Sequence, residues 1–106
     1  MNTDKLTNPI VKKAITALQA ANKDDWFSLF TDKAELFDDG NKTDLSVFFN
    51  KALGHERFTS IDKVENNGLD LLGKFHSDTW GDFKTYFRFH INAEGKIDRL
   101  DIGQAD

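Results

Sequence analysis

The chemistry of this chain has to come from carboxylates, imidazoles and hydroxyls, because its 106 residues include no cysteine. Asp38 is the best placed of the carboxylates. Ala34, Leu36 and Asp38 share one parity of the segment Ala34-Glu35-Leu36-Phe37-Asp38, so in a strand they point to one face. A carboxylate that finishes an apolar face is desolvated, and its pKa rises toward the range useful for general acid–base work. The competing reading is a strand-end aspartate that caps the turn at Asp39-Gly40 or is simply hydrated, since turns attract aspartate for unrelated reasons.

The three histidines, His55, His76 and His90, show no spacing that resembles a metal site. The acidic turn Asp38-Asp39-Gly40-Asn41 lacks the regular ligand spacing and distal glutamate of a calcium loop. Disulfides, cysteine-ligated zinc and iron–sulfur clusters are excluded. No cofactor and no metal are therefore expected. Tyr86, Arg88 and His90 form a polar row with aromatic content. They read either as a dimer face, because Tyr and Arg are enriched at interfaces, or as a solvated sheet face with cross-strand charge pairs such as Asp70 with His90.

These groups need elements to hold them. Phe83 to Ile91 reads Phe-Lys-Thr-Tyr-Phe-Arg-Phe-His-Ile, with Phe83, Thr85, Phe87, Phe89 and Ile91 on one parity. That alternation predicts a central strand with one face buried. Upstream, Asn8 caps and Pro9 begins a helix that carries Val11, Ala14, Ile15, Leu18 and Ala21 inward, with Lys12, Lys13 and Gln19 opposite. Met1 to Thr7 reads as a loose end. Asp24 or Asp25 caps a short second helix with Trp26, Phe27, Leu29 and Phe30. The strand Ala34–Asp38 follows. Thr43 or Asp44 caps a third helix with Leu45, Phe48, Phe49, Ala52 and Leu53, stopped at Gly54.

The remainder reads as strands. Phe58 to Glu65 has untidy apolar spacing that suggests a bulge. Asn67-Gly68 predicts a two-residue type I′ hairpin into Leu69 to Ser77. A loop through Thr79-Trp80-Gly81 leads to the central strand, and Asn92-Ala93-Glu94-Gly95 turns it into a last strand from Lys96 to about Gln104. Matching apolar faces sets Gly73 opposite Phe87, Leu71 opposite Phe89, Leu100 opposite Phe87 and Ile102 opposite Thr85. The other face then collects Asp70, Leu72, Lys74, Tyr86, Arg88, His90, Ile97, Arg99 and Asp101. Helices early and a meander late predict a single α+β domain over residues 1–106.

In that element order the chain resembles the nuclear transport factor 2-like superfamily, especially its small SnoaL-like and ketosteroid-isomerase-like members. The residues that carry the resemblance are Ala17-Leu18-Gln19-Ala20-Ala21-Asn22-Lys23-Asp24, then Leu29-Phe30-Thr31-Asp32-Lys33-Ala34 running to Asp38. Phe87-Arg88-Phe89, Gly95-Lys96-Ile97 and Leu100 complete it. The resemblance implies a cystatin-like cone: three N-terminal helices packed on a curved antiparallel sheet with a mixed edge, enclosing an apolar pocket. The aromatic residues Trp26, Phe30, Phe48, Phe49 and Trp80 belong to that pocket or to the core, and Phe87, Phe89 and Leu100 face it from the sheet. Trp80 lies over the pocket mouth or pins its turn. The resemblance also implies dimers formed through the outer sheet face. Asp38 takes the place of the ketosteroid isomerases' general base. Ala14 stands where their oxyanion tyrosine would be, and Phe87 where their protonated aspartate would be. A base without oxyanion donors leaves the developing charge unsupported.

Two functions follow. One is a pocket protein for a small apolar ligand, with Asp38 as a lone acid–base group. The other is a non-catalytic homodimeric module with a packed interior and Tyr86, Arg88 and His90 at its interface. The net charge of −4 is spread along the chain and gives no basic footprint for nucleic acid. No apolar run reaches the length of a membrane span or a signal-peptide core, so the expected location is the cytoplasm.

Overall fold

The computed structural model describes residues 3–105. Helices α1 (Pro9–Gln19) and α2 (Lys23–Ser28) come first, then strands β1 (Phe30–Asp38) and β2 (Asn41–Thr43). Helix α3 (Leu45–Ala52) precedes β3 (Glu56–Glu65), β4 (Asp70–Ser77), β5 (Gly81–Ile91) and β6 (Ile97–Gln104). The six strands form one sheet in the order β2-β1-β6-β5-β4-β3. β1 runs parallel to β6 and the other neighbours are antiparallel, so the sheet is mixed. The fold is α+β. Its helices do not form a block ahead of the sheet: α2 has six residues, and α3 follows the first two strands. Among the described residues no helix is long and apolar enough to cross a membrane.

Local chemistry explains the helix ends. The Asn8 side chain accepts the backbone N–H groups of Ile10 and Val11 at 2.9 and 3.2 Å, and Pro9 fills the first helical position. α1 stops at Ala21, which takes a left-handed φ of 55°. Asn22 N–H then bonds Ala17 O and Ala21 N–H bonds Leu18 O, the paired bonds of a Schellman stop. α2 is capped by Asn22 rather than Asp24 or Asp25, and Asp44 rather than Thr43 caps α3. Phe30 leaves the second helix and opens β1.

The N-terminal segment is not loose over its described part. Leu6 is buried and Lys5 Nζ donates to Ile61 O at 3.1 Å; Met1 and Asn2 lie outside the described residues. Gln19, expected on the polar face of α1, binds the backbone of Phe58 through both ends of its amide, each at 2.9 Å. The amide thus ties α1 to β3.

The central strand has its predicted faces. Thr85, Phe87 and Phe89 are buried, and the rings of Phe58, Phe75 and Phe87 meet at centroid separations of 4.9 to 5.7 Å. Register departs from expectation by two residues on both sides. Leu71 opposes Phe87, Gly73 opposes Thr85, and on β6 Leu100 opposes Phe89 while Ile102 opposes Phe87. An even shift preserves the facing of the residues it moves, so the face argument could not detect it. Two connections cause it. Asn66, Asn67 and Gly68 all take positive φ in a longer turn that pairs Glu65 with Asp70, in place of a two-residue hairpin. Between β5 and β6 a register shift at His90–Ile91 also turns Ile97 inward, where it is fully buried beside Phe30. β3 carries two further irregularities, at Phe58–Ser60 and Ile61–Lys63, where a bulged strand bends.

Candidate functional site

β1 delivers Asp38 to the end of the sheet's inner face. Leu36 pairs Leu100 and Asp38 pairs Ile102, so the carboxylate follows a fully buried leucine on the same side. A cavity of about 520 Å³ lies there. Phe75, Phe83, Thr85, Phe87 and Ile102 form its sheet wall, and Phe48, Phe49, Ala52 and Leu18 its helical wall. Asp38, Asp39, Glu56 and Asp82 are its acidic lining residues, and Trp80, 78% exposed, marks where it meets solvent.

The carboxylates are held differently. Asp39 Oδ1 accepts the Gln104 backbone N–H at 2.9 Å. Asp82 Oδ1 is 2.7 Å from His76 Nδ1. Glu56 Oε2 accepts the Ser77 hydroxyl at 3.1 Å. No side-chain hydrogen bond or ion pair holds the Asp38 carboxyl among the described residues. Burial, and then the neighbouring charge of Asp39, push its pKa above the ordinary value. Glu56 is also raised, by burial first, with the Ser77 hydroxyl pulling down and the charge of Asp38 pushing up.

Ser77 connects the site to its mouth. Its buried hydroxyl oxygen also accepts the backbone N–H groups of Thr79 and Trp80, each at 3.2 Å. Outside it runs a chain of imidazoles and carboxylates. His55 Nδ1 lies 3.2 Å from Asp78 Oδ2, His76 Nε2 3.0 Å from Asp78 Oδ1, and His76 Nδ1 meets Asp82. Both His76 nitrogens face carboxylates, which favours the doubly protonated ring. Its pKa rises accordingly, through Asp82 first and Asp78 second. Among the described residues no group of three or more such side chains is arranged to hold a metal ion.

Of the aromatic residues expected in the pocket, Phe48, Phe49, Trp80 and Phe87 line the cavity. Trp26, Phe30 and Phe89 do not, nor does Leu100, which was also expected there; all four belong to the core. The cavity sits at the Asp38–Ile102 end of the sheet, and Phe89 pairs Leu100 one step toward the other end. Trp26 backs the helical wall instead, its ring 4.6 Å from Phe49 and 5.1 Å from Phe30, with Nε1 unpartnered. Glu56 and Ser77 carried no signal in the sequence, because their meeting depends on β3–β4 register.

Tyr86, Arg88 and His90 lie on the outer face. The Arg88 guanidinium stacks over Tyr86 at 4.5 Å. His90 bonds Asp101 at 3.0 Å, not Asp70, which stands opposite Arg88. Tyr86 lies across Gly103, where a Cβ would come within 2.5 Å of both its hydroxyl and Asp39 Oδ1. Burial, and then Asp39, raise the tyrosine's pKa.

A mixed six-stranded sheet covered by helices, with a cavity at one end, is the nuclear transport factor 2-like or cystatin-like fold, as the element order implied. Solved structures with that fold superpose on the chain. A nuclear transport factor 2-like protein of unknown function from Cytophaga hutchinsonii matches with TM-score 0.75 and 16% identity, over 99% of this chain and 95% of its own. A protein of unknown function with a cystatin-like fold from Xanthomonas campestris matches with TM-score 0.75 and 17% identity, over 100% and 92%. The orange carotenoid protein of Anabaena, in a structure with canthaxanthin bound, matches with TM-score 0.68 and 19% identity, over 90% of this chain and 35% of its own. No family profile matches the sequence, and no curated protein does.

Proposed function

We propose that the protein binds a small, largely apolar molecule in the cavity beneath α3, with Asp38 as the acid–base group that meets it. The carrying observation is the Asp38 carboxyl: inward-facing, unpartnered and half-buried beside the phenyl rings of a 520 Å³ cavity. That volume lies in the range of small-molecule sites, and a carboxyl pKa raised by burial moves toward the range useful for acid–base work. The canthaxanthin bound by the Anabaena protein is in line with an apolar occupant. A ketosteroid-isomerase reaction lacks support. Ala14 is fully buried and Phe87 is a hydrocarbon wall, so neither place offers a donor to an oxyanion. Native mass spectrometry of the purified protein tests the reading: a co-purifying organic molecule is expected, and Asp38→Asn changes its affinity or turnover. A molecule that binds and reacts identically in Asp38→Asn removes Asp38 from the role.

A second reading is a homodimer joined through Tyr86, Arg88 and His90. The Arg88 guanidinium stacked over Tyr86 gives that face a cation on an aromatic ring at its surface. Light scattering should show a dimer that Arg88→Glu weakens; a monomer at all working concentrations removes the reading.

A further inference from the structure

The cavity's walls have one electrostatic sign. Phenyl faces carry negative quadrupole density, so the aromatic wall attracts cations and repels anions. Among the described residues the lining includes four acidic residues and no Lys, Arg or His, the Asp39 carboxylate lying toward Tyr86. Three of these carboxylates have donors in the protein: Asp39 the Gln104 amide, Asp82 the His76 ring, Glu56 the Ser77 hydroxyl. Asp38 has none, and it faces inward. A neutral apolar occupant would strip water from Asp38 without replacing it, which costs free energy. An anion would meet like charge and ring faces together. A cation with an apolar body would pair with Asp38 while its hydrocarbon covers the phenyl wall.

We infer that the ligand of this cavity is an organic ammonium ion carrying a cyclic or branched apolar body, its nitrogen seated between Asp38 and Glu56 and its body against Phe48, Phe75 and Phe87. The inference rests on the pocket reading above and names the ligand's charge. Both carboxyls have raised pKa values, so a fixed cation binds more tightly as pH rises and they ionise.

A matched pair of compounds tests it. Benzyltrimethylammonium and its uncharged carbon isostere neopentylbenzene have the same shape and differ in charge. Their affinities are measured by titration calorimetry and by NMR shift changes at Thr85 and Phe87. The expected result is at least a tenfold preference for the cation near pH 7, reduced severalfold near pH 4. Asp38→Asn and Glu56→Gln, made separately, should each reduce that preference severalfold. Equal binding of the two compounds, or preference for the neutral one, overturns the ammonium inference and leaves the pocket reading standing. If neither compound shifts Thr85 or Phe87, the pocket reading falls and the inference with it.

Discussion

The charge of Asp38 acts on Glu56 across the cavity. Glu56 is held above the ordinary carboxylate range first by burial and then, against the Ser77 hydroxyl, by Asp38. Two carboxyls thus flank one cavity with phenyl rings between them in the lining: Asp38 ends β1, second in the strand order, and Glu56 opens β3 at the far edge of the sheet.

This arrangement opposes stability at neutral pH. Both folded pKa values exceed their unfolded values, so folding favours the protonated forms. Their contribution is fully present below the unfolded values and is lost as pH rises through the folded ones. Asp38→Asn should therefore raise Tm at pH 7, by about 2–4 °C, and leave it unchanged near pH 3. Thermal scans across pH decide this, and a lower Tm for the variant at pH 7 would sink it. In the same variant the Glu56 carboxyl, followed by carbon NMR, should titrate at lower pH.

The turn that bears Trp80 should respond to pH through His76 and Asp78. His76 is raised by Asp82 and Asp78, so its contribution is present below the ordinary imidazole value and fades as pH rises through the raised one. Asp78 is lowered by His76 and His55, so its contribution is present above the ordinary carboxylate value and fades as pH falls through the lowered one. The turn is then best held between about pH 4 and 7. Hydrogen exchange at Thr79 and Trp80 should quicken severalfold in His76→Ala at pH 6. The imidazole of wild-type His76 should titrate above that in Asp82→Asn, and an unchanged titration refutes the link.

Gly73 is required by β3, not by its own φ. A Cβ there would run into the Ser60 carbonyl, which the neighbouring bulge thrusts toward it. Backbone cannot move aside as a side chain can. Gly73→Ala should cost about 2–3 kcal/mol, read as a lower urea midpoint with the slope unchanged. A loss below the error of the measurement would show that the bulge yields.

Ala21 offers the opposite case. It holds a left-handed backbone in which Cβ crowds the following carbonyl, and it stops α1 there. Ala21→Gly should stabilise the protein by about 0.5–1 kcal/mol, because the relief of strain exceeds the added freedom of the unfolded chain. Chemical denaturation measures it, and a destabilised variant would contradict the strain.

Much of the architecture follows from periodicities short enough to read along the chain. The alternation from Phe83 to Ile91 set the buried face of β5, Asn8-Pro9 set the start of α1, and the parity of Ala34, Leu36 and Asp38 set the facing of the carboxylate. Each rests on residues within one element, where spacing alone fixes direction. Register, the inward turn of Ile97 and the division of aromatics into cavity and core depend on distant segments. The length of the turn at Asn66–Gly68, the irregularity at His90–Ile91 and the Leu29 carbonyl that receives the Ile97 N–H decide them. The tertiary structure likewise brought Glu56 and Ser77 into the site, because their contact exists only when β3 and β4 pair with Glu56 opposite Ser77.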